Sequence, residues 1–309
     1  MKKFNETSHF LEQRVQLIQS GSMQFQMEAL PSGDYTIRDQ VTGECMHSTI
    51  GPWVEAQHLY IEQSQLAHRL EESHSKPLVI YDLGLGMATN ALAVIDTFYK
   101  AKKKRGIHLV SFENQLEGLH YALQNAELLP FIQKNQSLLR TLLKKRTLEL
   151  QCGDAFLRWD LKGGDFPQSL RGSPLADLIF YDFYSPQSTP HLWTMNCFQS
   201  LLQVAQTPQV SLHSTQQSTQ LYTYCSATSV RAALLLAGFY VGYGVSTGKK
   251  RDTTVASTQW RDLRKVLGDE WLMRWSRSEK PLPLDCISFS KIQLAQKLKS
   301  MIEKQNEAF

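Results

Sequence analysis

No apolar run in the 309-residue sequence approaches the roughly 18 residues that a membrane-spanning helix needs. Mean hydropathy is −0.31, so no membrane partner is expected. The N-terminal stretch MKKFNETSHFLEQRV has two lysines but no apolar core behind them, and does not read as a secretory signal. Cysteine is scarce. Cys45, Cys152, Cys197, Cys225 and Cys286 are odd in number and never form a CxxC pair, which argues against a disulfide framework and a zinc site. The expected compartment is therefore a reducing cytoplasm, and no metal is expected. Internal repeats and low-complexity tracts are also missing.

Charge of one sign is not in large excess, since the net charge is +4. The basic residues nevertheless cluster. Lys102-Lys103-Lys104-Arg105 is one run, Lys144-Lys145-Arg146 a second with Lys134 and Arg140 nearby, and Lys249-Lys250-Arg251 a third. Each run alone reads as a solvated helix end. Three on one chain favour a polyanionic partner.

What the sequence does contain is alternation. DYTIRD (34–39) reads as a strand and residues 53–73 as a helix, from the spacing of Ala56, Leu59, Tyr60, Leu66 and Leu70. From residue 77, apolar runs of the kind buried on both faces of a sheet alternate with helical stretches. PLVIYDLG, IHLVSFE, TLELQCGD and ADLIFYD are four such strands, with helices predicted over 87–101, over 115–128 with more helix following to about 146, and over 190–205. A strand near 221–225, a helix over 227–237 capped by Gly238, strands at 239–245 and 252–258, and a last charged helix follow. This rhythm implies a doubly wound α/β sheet, whose ligand lies beyond the carboxyl ends of the strands.

All four runs end in an acid: Asp82, Glu113, Asp154 and Asp182. Turn chemistry explains one such acid more easily than four, because stability alone does not place like charges on a shared rim. Gly84 and Gly86 allow a tight turn and close approach of a ligand to the backbone, but the third site of a GxGxxG pattern is Thr89, which serves a pyrophosphate less well. Asp82, just before the glycines, suits a cationic amino-acid end. Glu113 suits ribose hydroxyls, and Asp154 an adenine amino group. The combination describes an S-adenosylmethionine pocket better than a nicotinamide one. Asp182 would stand beside a sulfonium where a substrate amine arrives, with Phe183 and Tyr184 facing a flat base or a cation.

VIYDLGLGMATNALAVI, VSFENQ, CGDAF, DLIFYDFYSPQSTPHLWT and YTYCSATSVRAALLLAGFYVGYGVSTGKKRDTTVAS together resemble the MnmC-like methyltransferase domain, as does the upstream DYTIRDQVTGECMHSTIGPWVEAQHLYIEQS. The resemblance runs from about residue 34 to 258. Its most specific blocks are Asp182, Tyr184, Ser185, Pro186, Pro190, Leu192, Trp193 and Gly248, Lys249, Lys250, Arg251, Asp252. It implies a Rossmann-like class I methyltransferase: a doubly wound, mostly parallel seven-stranded sheet with an antiparallel last strand. An N-terminal extension (1–76), a methyltransferase domain (77–259) and a C-terminal helical extension (260–309) are expected.

The resemblance implies methyl transfer from S-adenosylmethionine to the aminomethyl group of the tRNA wobble uridine, giving 5-methylaminomethyl(-2-thio)uridine. Asp82, Gly84, Gly86, Asn90, Glu113, Asp154 and Asp182 are the implied cofactor contacts, and Asp182 the implied catalytic acid. Phe183, Tyr184, Lys249, Lys250 and Arg251 are the implied substrate contacts. No flavin-dependent oxidase domain is legible, so a separate enzyme is expected to supply the aminomethyl substrate. The chain departs from the family pattern at Ala88, where a glycine is expected, at Gln187-Ser188-Thr189, where Asn usually follows the serine, and in the long stretch 207–220. Two other readings stay open. One is a methyltransferase acting on another RNA or a small amine, and the other a non-catalytic RNA-binding protein on a decayed site.

Overall fold

The computed structural model describes residues 24–72, 74–102, 105–206, 218–246, 252–279, 282–286 and 290–307. An eight-stranded sheet is its centre. The strands are β3 (Leu78–Leu83), β4 (Ile107–Phe112), β5 (Thr147–Cys152), β6 (Ala155–Lys162), β7 (Leu178–Tyr181), β8 (Gln220–Thr223), β9 (Tyr240–Tyr243) and β10 (Thr254–Ser257). Their spatial order is β5-β6-β4-β3-β7-β8-β10-β9. β6, β4, β3, β7 and β8 are parallel, and β10 runs antiparallel to both its neighbours. Seven of these strands match the expected doubly wound sheet with its antiparallel last strand. The eighth, β5, is an antiparallel edge strand hairpinned to β6.

The central strands are mostly apolar because helices cover both faces. Every residue of β3 and β7 is buried. Side chains alternate between two cores, so Leu78 and Ile80 enter one and Val79, Tyr81 and Leu83 the other. The first core is covered by α3 (Thr89–Lys100), α4 (Glu117–Gln124), α5 (Pro130–Lys145) and the segment 52–71. The second is covered by α6 (Met195–Leu202), α7 (Thr228–Ala237), α8 (Asp269–Ser276) and α9 (Lys291–Glu307). Trp271 and Trp275 of α8 are fully buried there, each stabilising the docking of the C-terminal segment by roughly 2–3 kcal/mol of apolar burial. Gly238 ends α7 in the left-handed conformation at φ 112°, as its sequence position suggested.

The single helix expected over 53–73 is divided. α1 (Pro52–Ala56) passes into a π turn at Gln57–Glu62, and α2 (Leu66–Glu71) begins after Gln65, which is left-handed at φ 55°. The Ser64 hydroxyl turns back to the Tyr60 and Ile61 carbonyls, and the Gln63 side chain to the Leu59 carbonyl at 3.0 Å. These side chains compete with the helical ladder where the chain turns. Upstream, β1 (Phe25–Ala29) and β2 (Tyr35–Asp39) form an antiparallel hairpin. It packs on the first core through Phe25 and Ile37, with the Phe25 ring 6.0 Å from that of Tyr121.

Candidate active site

The turn from β3 into α3 is the floor of the site. Gly84 takes φ 88°, and a Cβ there would stand 2.7 Å from the Asp182 carbonyl oxygen. Only glycine lets the β3 turn and the β7 turn lie this close. Gly86 takes φ 52°, and its N–H donates to Glu113 Oε2 at 3.2 Å. Ala88 also lies in the left-handed region, at φ 66°. Alanine thus stands, where a glycine was expected, in a conformation that favours glycine.

Three carboxylates gather at the carboxyl ends of β7, β3 and β4, which are neighbours in the sheet. Asp82 is 1% exposed. Its Oδ2 accepts from the Ser111 hydroxyl at 2.8 Å, and that hydroxyl accepts from Trp159 Nε1 at 2.9 Å. Among the described residues its Oδ1 has no hydrogen-bond partner. Burial pushes Asp82 up to about 7, the Ser111 bond opposes the rise, and the charges of Asp182 and Glu113 add to it. Glu113 accepts from the Gly86 and Gln115 N–H groups and is raised by burial against those bonds. Asp182 follows β7 directly, and its Oδ2 accepts from Asn90 Nδ2 at 2.8 Å.

Asp154 does not join them. The residues quoted as a third buried strand are β5, and Asp154 lies exposed in the turn between β5 and β6. Because β6 is parallel to β4, that turn is at the opposite end of the sheet from Glu113. The strand that reaches the site is β6, and the acid beyond it is Asp165, after Gly163-Gly164. Asp165 lines the site cavity and accepts a long hydrogen bond from Asn114 Nδ2, 3.5 Å. The alternation in AFLRWDLK, followed by Gly-Gly-Asp, was the signal for it.

A cavity of about 1110 Å³ opens above this edge. Gly84, Gly86, Asn90, Glu113, Asp182, Phe183 and Tyr184 all line it, so the structure brings these expected residues together. Phe183 belongs to an aromatic cluster, 5.4 Å from Phe166 and 5.1 Å from Tyr181 between centroids. The Tyr184 hydroxyl is buried without a hydrogen-bond partner among the described residues, and burial raises its pKa. The opposite wall comes from the N-terminal segment and includes Asp39, Glu44, His47 and Glu55. None of these was marked from the sequence, because nothing local shows that a hairpin far upstream folds over the sheet edge. Burial lowers His47 to about 3, so the ring is neutral. The described lining residues include seven acids (Asp39, Glu44, Glu55, Glu113, Asp165, Asp182, Asp285) and no Lys or Arg.

Lys249, Lys250 and Arg251 lie outside the described residues. β9 ends and β10 begins at the cavity edge of the sheet, since Thr254 pairs with Thr223 at the end of β8 and with Tyr243 at the end of β9. Lys144, Lys145 and Arg146 are exposed where α5 meets β5. The Arg146 carbonyl accepts from the Leu161 N–H near the end of β6, so this cluster lies at the carboxyl edge of the sheet. Arg105 does not serve a basic surface. It is 9% exposed, donates to the Lys76 carbonyl at 2.8 Å and lies 3.9 Å from Asp177.

S-adenosylmethionine carries a sulfonium, an ammonium and ribose hydroxyls, and the residues present fit it. Asp82 Oδ1 and Asn90 Oδ1 are buried acceptors with no donor among the described residues. Glu113 keeps lone pairs beyond its backbone bonds, the glycine turn offers backbone at close range, and the described wall holds no competing Lys or Arg.

Residues 124–259 match the family of S-adenosyl-L-methionine-dependent methyltransferases. The chain is 28% identical over 200 residues to the tRNA 5-methylaminomethyl-2-thiouridine biosynthesis bifunctional protein MnmC of Aeromonas salmonicida, covering 60% of this chain and 28% of that one. To the protein of the same name from Ralstonia nicotianae it is 29% identical over 238 residues, covering 71% and 32%. The chain thus spans about a third of the length of these curated relatives. The crystal structure of MNMC2 from Aquifex aeolicus superposes with a TM-score of 0.61 at 20% identity, covering 92% of this chain and 86% of that one, which shows a shared fold. Among the described residues no helix is long and apolar enough to cross a membrane.

Proposed function

We propose, for a chain that carries an MnmC-like S-adenosylmethionine-dependent methyltransferase domain, that the methyl acceptor is the 5-aminomethyl group of a tRNA wobble uridine. The product would be 5-methylaminomethyluridine or its 2-thio form. The observation that carries this reading is the pairing of Asp182 with Asn90 on the floor of an acid-lined cavity.

S-adenosylmethionine, when bound, supplies a methyl group on a positively charged sulfur. Asp82, Glu113, Asn90 and the Gly84–Gly86 turn are the residues to hold it, and Asp165 takes the role first expected of Asp154. Asp182, oriented by Asn90, is placed to accept a hydrogen bond from the acceptor amine and to take its proton as the nitrogen gains a methyl. Phe183 and Tyr184 border the same space and offer ring faces to a base. At about 1110 Å³ the cavity exceeds the ~300–1,000 Å³ usual for a single small ligand, which leaves room for a second guest such as an extruded nucleoside. Lys144, Lys145 and Arg146 at the sheet edge suit the phosphates of the RNA, and Lys249, Lys250 and Arg251 are proposed for the same role from the sequence. The names of the relatives support the same acceptor.

Calorimetric titration with S-adenosylmethionine tests the cofactor pocket, and binding lost on Glu113→Ala is the expected result. Incubation with labelled cofactor and tRNA bearing 5-aminomethyl-2-thiouridine tests the acceptor, and a methylated nucleoside after digestion is expected. Cofactor binding without transfer to that tRNA would retire the wobble-uridine reading in favour of another RNA or a small amine. Steeply salt-dependent tRNA binding distinguishes an RNA substrate from a small amine.

A further inference from the structure

The 182–189 loop carries Asp182, Phe183 and Tyr184, so its shape sets what the acceptor meets. One flank is tied to the sheet side of the molecule. The Phe183 carbonyl accepts from the Tyr224 hydroxyl at 2.9 Å, and the Tyr184 carbonyl from Trp193 Nε1 and the Thr189 hydroxyl, both at 2.8 Å. The other flank is tied to a single side chain of the N-terminal segment. Glu44 accepts from the Ser185 N–H at 3.0 Å, from the Ser185 hydroxyl, and from the Ser188 hydroxyl at 2.5 Å. Three donors on one carboxylate make charge-assisted bonds, stronger than neutral ones.

Glu44 is itself held in place. Its carbonyl accepts from the Asp39 N–H at 2.9 Å, and Arg38 Nη1 donates to the neighbouring Gly43 carbonyl at 2.5 Å. The β1–β2 hairpin therefore delivers this carboxylate as a fixed point. Ser188 lies within the stretch that departs from the family pattern, and the strap gives that departure a use.

We propose that Glu44 is a positioning residue, which straps the Ser185–Ser188 turn to the N-terminal hairpin and so holds the acceptor side of the site in shape. The proposal rests on the methyltransferase reading for its kinetic consequence, but not for the strap itself. Glu44 does not bond the glycine turn or Glu113, so losing it should spare the cofactor. The hairpin is then part of the site's construction, and acceptor recognition depends on residues far upstream of the sheet.

The test uses the full chain with Glu44→Gln, Ser188→Ala and the double variant. Glutamine keeps the shape and one acceptor oxygen but cannot accept at its nitrogen. Amide hydrogen exchange over 183–189 should quicken in Glu44→Gln and in Ser188→Ala. kcat/KM for the RNA acceptor should fall about ten- to a hundredfold in Glu44→Gln, with S-adenosylmethionine affinity within about twofold of wild type. The double variant should be little worse than Glu44→Gln, because both changes break one network. Unchanged exchange at 183–189, fully additive kinetic losses, or a loss confined to cofactor affinity would each overturn the proposal. Should Glu44→Gln fail to fold, Ser188→Ala alone decides by the same exchange measurement. If the wild type methylates no RNA, the acceptor reading falls, while the exchange difference still decides the strap.

Discussion

Asn90 Nδ2 stands 2.8 Å from Asp182 Oδ2, joining the first turn of α3 to the end of β7. Asp182 is thereby fixed before any ligand arrives, and the amide donor stabilises its charged form. Asn90→Ala should leave the fold intact and lower kcat by about ten- to a hundredfold, the range for losing one hydrogen bond to a charged group. Asp182→Ala should abolish transfer while cofactor binding persists. Single-turnover transfer and calorimetry on the same variants check both, and full activity in Asp182→Ala would remove its catalytic role.

The buried Asp82 makes the ligand-free protein sensitive to pH. Its carboxyl is pushed up to about 7, chiefly by burial, from an ordinary 3.8. The folded state holds this proton more tightly than the unfolded chain. The resulting stabilisation is fully present below about pH 4 and is lost as pH rises through about 7. Thermal melts of wild type and Asp82→Asn across that window should differ by this loss, the variant showing the flatter profile. A cationic cofactor favours the ionised form, so its affinity should rise with pH from about 6 to 8 in wild type but not in Asp82→Asn.

Gly84 has no tolerance for a side chain. Its φ of 88° and the 2.7 Å approach of a Cβ to the Asp182 carbonyl oxygen oppose any substitution. Gly84→Ala should cost about 2–4 kcal/mol of stability, combining left-handed strain with displacement of packed backbone. Because the displaced backbone carries Asp182, transfer should fall further than stability alone explains. Urea unfolding and transfer assays on the same preparation separate the two effects.

Ala88 tells the opposite story. Its left-handed φ of 66° costs about 1–2 kcal/mol, while its fully buried methyl returns about 0.8 kcal/mol and its restricted unfolded state about 0.4–1 kcal/mol. These nearly cancel. Ala88→Gly should therefore lie within about 1 kcal/mol of wild type, with cofactor affinity retained. Ala88→Val, with a branched side chain in a left-handed, buried position, should lose about 2–4 kcal/mol. Denaturation midpoints of the three proteins check the pair.

Asp154 and Asp165 make a controlled contrast, since both are exposed acids next to glycine. Asp165→Ala should weaken S-adenosylmethionine binding by about tenfold, the loss of roughly one hydrogen bond to a charged group. Asp154→Ala, at the far end of the sheet, should leave it unchanged. The reverse result in calorimetry would return the adenine contact to Asp154.

Much of this arrangement was readable along the chain. LIFY and the first four residues of LVIYDL are uninterrupted because strands buried on both faces rarely admit a polar residue, and the buried Asp82 stands where the sheet edge meets the cavity. Asp82, Glu113 and Asp182 were thus visible as strand-end acids, as was Gly84 before its close contact was known. Asp154 misled because TLELQC looks like a strand of the same kind. Its half-exposed residues and its antiparallel pairing with β6 appear only in the folded chain.

The sequence by itself determined the alternation of elements, the glycine turn and the positions of three carboxylates, since local polarity fixes where a strand ends and how tightly it can turn. The tertiary structure decided which ends share an edge, because strand direction is a relation between segments distant in sequence. It alone turned Asp154 away and brought Asp165 in. It also folded the Glu44 hairpin over the loop that follows Asp182, a contact between residues 141 positions apart that no local pattern records.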